Sequence, residues 1–430
     1  MMRLVYRALI VLSIPFACAL LFWRGLRDRD YWRNFGERLG FGEYLPTASI
    51  WVHAVSVGEV QAAAALVRAL RQAHADIPLV LTTVTPTGAA RARALFGDTV
   101  NIRFLPFDNT GSVRRFFARV QPRLAIIIEK EWWPNLFHEC GVREVPLVLA
   151  SAALSPRAVA RYQRLVQLFS DTLHNGLIIA AQSVADADRF RQIGANPANT
   201  HVIGNLKFDL TMPVGLEAAS ASLRRRLGGE GRLILVGGST YEFEEAVLLA
   251  AQRRLRESGI DLALVLAPRH PPRFDSVALR LQSAGVAFGR QSSGETSRVD
   301  VLLLDTLGEL LAAYAAADVA FVGGSLVKDV GGHNVIEPAA LAVPTLTGPH
   351  GYNAPDIVAA LCTAGALSIV ASEADLVAEL RNLAGDAAAR TRRGEAGRLF
   401  VEGNRGTLAR LLALLEPLIA STSAPPPTSR

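Results

Sequence analysis

The sequence predicts an α/β protein with two Rossmann-like lobes behind an apolar N-terminal helix. Short apolar runs alternate with longer helical stretches, and this alternation occurs twice along the 430 residues. Such repetition is typical of a parallel sheet covered by helices on both faces. Each half also contains a glycine-marked junction between a strand-like and a helix-like run, at residues 53–59 and 331–338. Such junctions suit anionic groups such as phosphates, so we expect two lobes that face a shared cleft.

The strand-like runs fall into two series, separated by a stretch that contains a proline, glycines and a charged helix-like segment. The predicted strands are Ser49–Ser56, Pro78–Val84, Arg123–Glu129, Pro146–Ser151 and Gly176–Ser183, then Arg232–Ser239, Leu262–Pro268, Val299–Asp305, Val319–Ser325 and Val343–Gly348.

The domain prediction follows from these series. We expect a membrane anchor with a basic collar over residues 1–30 and an N-terminal lobe over 31–210. A linker over 211–230 leads to a C-terminal lobe over 231–419. The tail over 420–430 lacks large apolar residues and is predicted to be disordered.

The N-terminal segment is predicted to attach the protein to a membrane. Residues 8–23 carry no charge, and arginines with Trp23, Tyr31 and Trp32 follow them. Arginines and aromatic residues are typical of a membrane interface, and the larger arginine cluster places the globular part on the cytoplasmic side. A buried core helix and a cleaved signal peptide are the alternatives. Whether the helix spans the bilayer or lies in its surface stays open.

The amino-acid composition limits the classes of ligand and partner that the protein is expected to bind. The net charge of +6 fits anionic lipid or phosphorylated substrates. Nucleic acid is not expected, because the basic residues are scattered and do not alternate with aromatic ones. The three cysteines lie more than a hundred residues apart, which excludes a metal cluster of familiar spacing and a disulfide framework.

Candidate residues in the first half follow predicted strands. Glu59, in a first helical turn, is either a general base or an ordinary partner of the helix dipole. His53 is expected to be structural. Glu129 follows an apolar strand directly and precedes Trp132 and Trp133, which favours a functional site over a solvated loop. Lys207 can neutralise a phosphate or remain solvated.

Candidate residues in the second half also follow strands. Pro268 and Arg269 begin a stiff Pro-rich loop, in which the guanidinium fork matches phosphate oxygens. Gly308 and Glu309 follow another strand. Asn334 and Glu337 have the spacing of a capping box, which alone explains them. Gly323 and Gly324 add a second glycine-rich turn nearby, which suggests a ligand close to bare backbone.

Several motifs are absent from the sequence: the phosphate-binding G-x-x-x-x-G-K-[ST] loop, a tight G-x-G-x-x-G, H-E-x-x-H and G-x-S-x-G. Their absence disfavours a kinase, a dehydrogenase, a zinc protease and a serine hydrolase.

These residues, taken in order, resemble the 3-deoxy-D-manno-octulosonic acid (Kdo) transferases. That family consists of membrane-attached glycosyltransferases of lipopolysaccharide assembly with two Rossmann-like lobes, the GT-B architecture. The resemblance extends to about residue 415 and rests on the segments HAVSVGE, TTVTPTG, LPFD, EKEWWPN, GNLKFD, LAPRHPPRF, DTLGEL, FVGGSL and GGHNVIEP.

The resemblance implies transfer of Kdo from CMP-Kdo, a co-substrate, to the lipid A precursor lipid IVA, with no cofactor and no metal ion, at the cytoplasmic face of the inner membrane. It implies that Glu59 is the general base and that Glu129 and Lys207 stabilise the transition state. The residues implied to bind CMP are Pro268, Arg269, Leu307, Gly308, Glu309, Asn334, Val335, Ile336 and Glu337.

Three segments depart from the family's usual pattern. Ser151–Ser155 reads SAALS where the family usually has NARLS. Ser239–Glu245 has tyrosine where a histidine is usual, and Gly348–Ala354 ends differently. Because of these departures, the resemblance does not specify the contacts with the substrates or the number of Kdo residues added.

Two alternative functions remain compatible with the sequence. A two-lobed sugar-nucleotide epimerase shares the architecture but needs no membrane anchor. A non-catalytic membrane scaffold would not need Glu59, Glu129 and Lys207.

Overall fold

The computed structural model describes residues 2–155, 158–160, 162–163, 173, 176–229, 231–295 and 297–421. The chain forms two compact units. The first comprises Met1–Asp209 and Arg405–Arg430, and the second comprises Leu210–Asn404. Each unit is built on a parallel sheet, which confirms the predicted fold class.

The sheet of the first unit has the strand order β3-β2-β1-β4-β5-β6-β7 within the described residues. Its strands are β1 Ser49–His53, β2 Leu79–Thr83, β3 Asn101–Phe104, β4 Pro122–Ile128, β5 Leu147–Ala152, β6 Leu177–Ala181 and β7 Thr200–Val202. The order reverses between β1 and β4, which pair in parallel. Ligands of open α/β sheets bind at such a reversal, beyond the carboxyl ends of the strands.

The sheet of the second unit has the order β10-β11-β9-β8-β12-β13-β14 within the described residues. Its strands are β8 Leu233–Thr240, β9 Leu262–Pro268, β10 Phe288–Arg290, β11 Val301–Leu303, β12 Val319–Val322, β13 Thr345–Thr347 and β14 Leu367–Ile369. Here the order reverses between β8 and β12, which also pair in parallel.

Helices cover both sheets. They are α1 Met2–Gly25, α2 Phe35–Arg38, α3 Val57–Ala73, α4 Pro86–Phe96, α5 Thr110–Val120, α6 Pro134–Val142, α7 Val184–Gln192, α8 Leu216–Arg226, α9 Glu242–Glu257, α10 Phe274–Ser283, α11 Leu310–Ala316, α12 Ile336–Ala340, α13 Pro355–Thr363, α14 Glu373–Gly385, α15 Ala387–Gly403 and α16 Thr407–Ser421. By length and composition α1 could cross a membrane, with a mean hydropathy of 2.2 in its most apolar window.

Two predicted domain boundaries are wrong. The segment 211–230 is not an open linker, because it contains α8, which belongs to the second unit. Arg224 donates to the carbonyl oxygen of Ala316, and Arg226 donates to that of Arg290. Two arginines of the charged helix-like segment therefore bind backbone oxygens of the second unit.

The second correction concerns the end of the chain. The C-terminal lobe does not extend to residue 419, because α16 belongs to the first unit and runs to Ser421. Leu411, Leu415 and Ile419 are buried in the same apolar core as β1 and α3. The predicted disordered tail begins within this helix, and residues 422–430 lie outside the described residues.

The start of α16 is held by a side chain from the other segment of the first unit. The carboxylate of Asp209 accepts hydrogen bonds from the backbone N–H groups of Gly406 (2.7 Å) and Leu408 (2.5 Å). These N–H groups have no partner within the helix, so Asp209 acts as a cap supplied from a distance.

We therefore predict that Asp209→Ala lowers the free energy of unfolding of the first unit by about 0.5–2 kcal/mol, the usual cost of losing a helix cap. Urea unfolding followed by tryptophan fluorescence measures this, because all five tryptophans lie in residues 23–133. The control is Asp188→Ala. Its carboxylate is 56% exposed and pairs with Arg191, so its loss should cost less than about 0.5 kcal/mol. Equal effects of the two substitutions would contradict the capping role.

Candidate functional site

The acidic residues predicted in the first unit lie at the reversal of its sheet. Glu59 is in the first turn of α3, which follows β1, and Glu129 directly follows β4. Because His53 of β1 aligns with Ile127 of β4, the two strands end side by side. The structure thus brings together two of the carboxylates that the sequence singles out.

Lys207 pairs with Glu129. Its Nζ lies 2.5 Å from Oε1 of Glu129, and the two side chains are 29% and 12% exposed. Lys207 belongs to a short 3-10 turn, Leu206–Phe208. The Oδ1 atom of Asn205 caps this turn by accepting a hydrogen bond from the N–H of Lys207 at 2.9 Å. Glu129 has a φ of 64°, a left-handed conformation that is strained for a non-glycine residue.

The pKa of the Glu59 carboxyl group lies close to neutral pH. One of its oxygens accepts a hydrogen bond from the N–H of Val55 at 2.5 Å. Burial, reinforced by the negative charges of Glu129 and Glu131, raises the pKa of Glu59 to about 8, whereas the Val55 hydrogen bond and Lys207 oppose the rise. A carboxyl group with such a pKa can hold or release a proton near neutral pH.

Glu131 is a member of this cluster that the sequence reasoning did not single out. Burial, with a further contribution from the negative charge of Glu129, raises the pKa of Glu131. The signal was present in the sequence, because Glu131 lies two residues after Glu129 in the same strand-end loop.

His53 is structural, as predicted. Its side chain is fully buried, and Nδ1 lies 2.8 Å from Oγ1 of Thr82. Burial lowers the pKa of His53 to about 3, so the ring is neutral at physiological pH.

The tryptophan pair after Glu129 also has a packing role. The ring of Trp132 contacts the rings of Phe137 and Phe190, with centroids 5.9 Å and 6.1 Å apart, and packs with the apolar core. Pro134 then begins α6. This packing fixes the loop that carries Glu129 and Glu131 between β4 and α6.

In the second unit, Arg269 follows Pro268, the last residue of β9, and its N–H donates to the carbonyl oxygen of Thr240 at 3.0 Å. Its guanidinium donates no hydrogen bond within the described part of the chain. The neighbouring Arg273 is used differently, because it forms a bidentate pair with the buried Glu245 at 2.9 and 2.8 Å. Arg269 is therefore the arginine available to an anion.

Aromatic and imidazole rings surround this strand end. Tyr241 stacks on His333 with centroids 5.9 Å apart and an interplanar angle of 3°. Burial, together with the positive charge of Arg269 and a smaller effect of His270, lowers the pKa of His333 to about 4. The pKa of His270 is lowered too, by burial first and then by Arg269 and Arg273. These rings are neutral at pH 7 and do not compete with Arg269 for an anion.

The segment Leu307–Glu309 lies at the start of α11. Gly308 has a φ of 91°, which favours glycine, and the side chain of Leu307 is 75% exposed. The carboxylate of Glu309 accepts hydrogen bonds from Thr306 Oγ1 and from Gln291 Nε2. Local partners therefore hold this carboxylate, and the backbone around Gly308 stays accessible.

The Asn334–Glu337 segment does not form the capping box that its spacing predicts, because α12 begins after Val335 and has no side-chain cap. Asn334 donates its amide hydrogen to Glu337 Oε1 at 3.1 Å, and its Oδ1 accepts from the N–H of Ile336 at 3.2 Å. Val335 and Ile336 are buried at 2% and 1% exposure, so their side chains belong to the core. Only their backbone groups can serve a ligand.

The glycine pair Gly323-Gly324 has a different role from the one expected. The buried carboxylate of Glu244 accepts hydrogen bonds from the N–H groups of Gly324, Ser325 and Leu326 at 2.8–2.9 Å. The turn therefore binds an anion that belongs to the protein itself. A side chain at Gly324 would also come within 2.8 Å of the His333 ring, which explains the need for glycine.

The three departures from the family pattern all lie at strand ends. Ser151 has a φ of 54°, and its Oγ accepts a hydrogen bond from the N–H of Leu206 at 3.2 Å, next to Lys207. Tyr241 is the residue stacked on His333. In Gly348–Ala354, Asn353 donates to the carbonyl oxygens of Val330 and Gly332. Each departure therefore supports a candidate segment.

Comparisons with known proteins agree on one family. A family model described as 3-deoxy-D-manno-octulosonic-acid transferase (kdotransferase) matches residues 33–210. The chain is 37% identical over 425 residues to the 3-deoxy-D-manno-octulosonic acid transferase of Haemophilus influenzae, covering 97% of this chain and 99% of the relative. It is 36% identical over 414 residues to that of Bordetella pertussis, covering 92% and 95%.

A solved structure shows the same fold. A putative UDP-N-acetylglucosamine 2-epimerase from Listeria monocytogenes superposes with a TM-score of 0.58 at 16% identity, covering 89% of this chain and all of that one. At this identity the likeness concerns the fold alone, so it does not favour the epimerase alternative.

The raised pKa of Glu59 predicts a pH-dependent stability that is independent of any activity. The unfolded chain releases this proton near pH 4.5, whereas the folded chain keeps it to about pH 8. The stabilising effect of the protonated group is therefore complete below pH 4.5 and is lost as the pH rises to 8. Relative to Glu59→Gln, the wild-type protein should lose unfolding free energy over this range, by at most about 1.4 kcal/mol per pH unit.

Urea unfolding by tryptophan fluorescence at pH 5, 6, 7 and 8 checks this, with Glu43→Gln, which replaces an exposed carboxylate, as the control. Parallel pH profiles for the wild type and Glu59→Gln would show that Glu59 has an ordinary pKa.

Proposed function

The chain belongs to the family of 3-deoxy-D-manno-octulosonic acid transferases, and from this premise we propose that it transfers Kdo from CMP-Kdo to the lipid A precursor lipid IVA. It is a Kdo transferase of the GT-B fold. The identity of the donor and the acceptor, and the roles of single residues, are our proposal. The observation that carries it is the raised pKa of Glu59 beside the Lys207–Glu129 ion pair.

In the proposed reaction Glu59 acts as the general base. A sugar hydroxyl of the acceptor loses its proton to the Glu59 carboxylate while its oxygen attacks the anomeric carbon of Kdo. The bond between that carbon and the phosphate oxygen of CMP breaks, and CMP leaves with the electron pair. Because the pKa of Glu59 is near 8, the residue is a stronger base than an ordinary carboxylate.

Glu129 and Lys207 are proposed to stabilise the transition state. The sugar carbon becomes cationic as CMP leaves, and a carboxylate close to it lowers the energy of that charge. The ion pair holds the Glu129 carboxylate in a fixed position, since its Oε1 lies 2.5 Å from Lys207 Nζ.

The second unit is proposed to bind CMP. The guanidinium of Arg269 donates no hydrogen bond among the described residues, and its planar fork suits the phosphate. The backbone at Leu307, Gly308 and Glu309 is proposed to hold the nucleotide together with Pro268. The segment Asn334–Glu337, including the backbone of Val335 and Ile336, completes this proposed CMP site. We propose that no metal ion and no cofactor takes part, because cationic side chains can neutralise the leaving phosphate.

Membrane attachment is part of the proposal. The apolar helix α1 and the arginines that follow it support a location at the cytoplasmic face of the inner membrane, where a lipid acceptor resides. Nucleic acid is not a proposed partner.

We predict that Glu59→Gln lowers Kdo transfer by about 10²- to 10⁴-fold, the usual contribution of a general base. The assay incubates the full chain with CMP-Kdo, generated in situ, and a tetraacyl lipid A precursor, and detects the product by mass spectrometry. The wild-type kcat/KM should rise with pH to a plateau above about pH 8, the pKa of Glu59. EDTA should leave the wild-type rate unchanged.

The control for this assay is Glu43→Gln, which should retain the wild-type rate, and tryptophan fluorescence verifies that each variant is folded. Full transfer by folded Glu59→Gln would remove the general-base role. Isomerisation of UDP-sugars without acceptor would instead favour an epimerase.

We also predict that Arg269→Ala weakens CMP binding by roughly 10- to 100-fold, because it removes charge-assisted hydrogen bonds worth about 1.5–3 kcal/mol. Isothermal titration calorimetry with CMP measures the dissociation constant. Arg253→Ala is the matched control in the same unit, since that side chain is 78% exposed. Equal affinities of the wild type and Arg269→Ala would place the phosphate elsewhere.

A further inference from the structure

The helix α1 has two different faces. Leu4, Leu12, Phe16 and Leu20 on one face are between 46% and 77% exposed. Residues on the other face are partly covered, and they recur at the three- and four-residue spacing of a helix stripe: Arg3, Tyr6, Arg7, Ile10, Ile14, Ala17 and Leu21. The partly covered stripe therefore extends over most of the length of α1.

The N-terminal end of α1 is bound to the first unit by polar contacts. The hydroxyl of Tyr6 donates to Asp108 Oδ2 at 2.7 Å, and Arg7 Nε donates to Asn135 Oδ1 at 3.2 Å. Asp108 is 3% exposed and also accepts from the N–H groups of Asn135 and Leu136. Tyr6 therefore docks onto a carboxylate that holds the start of α6.

The C-terminal end of α1 is bound to the same unit. Trp32 Nε1 donates to the carbonyl oxygen of Phe22 at 3.2 Å, and the two rings stack with centroids 5.4 Å apart. Gly25 is buried against Trp32, where a Cβ would come within 1.8 Å of the indole nitrogen. Arg38, six residues further on, donates to the carbonyl oxygen of Val84 at 2.9 Å and fixes the segment to the lobe.

These contacts decide the orientation of α1 relative to a bilayer. A helix rises about 1.5 Å per residue, so Tyr6 and Gly25 are about 28 Å apart along the axis, close to the ~30 Å thickness of the hydrocarbon core. If α1 crossed the bilayer, its two ends would lie on opposite sides. The N-terminal end contacts Asp108, and the C-terminal end packs on Trp32, six residues before Arg38, which is bound to the same globular unit. One unit cannot hold both ends of the helix in that orientation.

We propose that α1 is an in-plane anchor: it lies in the surface of a bilayer with its Leu4, Leu12, Phe16 and Leu20 face in the lipid and its Tyr6 face on the first unit. This inference deepens the membrane attachment proposed above and rests on it. It answers the choice between a spanning and a surface helix that the sequence leaves open.

Charge complementarity identifies the lipid as anionic. Arg24, Arg27, Arg29 and Arg33 are exposed after the apolar face. Two of them are positioned by aromatic rings, since Arg27 lies 4.7 Å from the Trp23 ring centroid and Arg24 lies 5.9 Å from that of Tyr31. Each such arginine near an anionic surface contributes about 1 kcal/mol of attraction.

The anchor also bears on the candidate site. Asp108 holds the N-terminal turn of α6, and α6 begins one residue after Trp133, at the end of the loop that carries Glu129. Asp108 therefore binds both Tyr6 of the anchor helix and the start of α6, at the edge of the first sheet where the candidate carboxylates lie.

Labelling of a single cysteine tests the orientation. In a background of Cys18→Ala, Cys140→Ala and Cys362→Ala, Met2→Cys places a thiol at the free end of α1. Gln72→Cys, on the exposed face of α3, is the matched control for the globular side. The full chain is expressed in a bacterium, inside-out membrane vesicles are prepared, and a membrane-impermeant maleimide is added without detergent.

We expect Met2→Cys and Gln72→Cys to be labelled to the same extent. Labelling of Met2→Cys only after detergent, with Gln72→Cys labelled at once, would show a spanning helix and overturn the proposal while leaving membrane attachment intact. Recovery of the chain in the soluble fraction would overturn both. If the two thiols are labelled equally but the chain does not transfer Kdo, the in-plane anchor is supported and the proposed function is wrong.

A depth measurement gives independent support. Spin labels at Leu4, Leu12 and Leu20 are about 12 Å apart along the axis, with Ile14 on the covered face as a control. In vesicles with anionic lipid we expect the three labels at similar shallow depths and a low oxygen accessibility at Ile14. A depth that is greatest at Leu12 and shallow at both ends would overturn the in-plane anchor.

Discussion

The ion pair between Lys207 and Glu129 is the contact on which the acidic part of the site depends. Glu59, Glu129 and Glu131 influence one another electrostatically at the reversal of the first sheet, and without a cation they would repel one another. Lys207 compensates Glu129 directly, and it also limits the rise in the pKa of Glu59. The pair further offsets the left-handed conformation of Glu129, which costs about 1–3 kcal/mol. Lys207 thus fixes the position of Glu129 and opposes the rise in the pKa of Glu59 that burial causes.

In the second unit, two buried carboxylates have partners within the unit itself. Its buried carboxylates are satisfied internally: Glu244 by the backbone of the Gly324–Leu326 turn, and Glu245 by Arg273. Because those partners are taken, Arg269 is left as a cation without an internal acceptor in the described part of the chain. The internal pairs rigidify the strand ends, and Arg269 is the side chain that we propose for the phosphate of CMP.

The sequence predicted the central strands well because buried parallel strands are continuous apolar runs. The list of predicted strands leaves out β3, β7, β10 and β14, which all lie at sheet edges, where one neighbour is absent and polar residues such as Asn101 and Arg290 are tolerated. The sequence placed Glu59, Glu129 and Arg269 at strand ends correctly. It could not foresee that α16 returns to the first unit or that the Gly323-Gly324 turn binds Glu244, because both depend on contacts between residues about 80 or 200 positions apart.

The segment Gly204–Asp209 contains both the lysine that pairs with Glu129 and the carboxylate that caps α16. Lys207 pairs with Glu129, and two residues later Asp209 holds the N–H groups of Gly406 and Leu408, where the chain re-enters the first unit. Between them the side chains of Leu206 and Phe208 are buried, so the turn cannot rotate without exposing apolar surface. A displacement of α16 would therefore be transmitted to Lys207. The residues that hold the returning helix and those that set the charge beside Glu59 form one rigid turn.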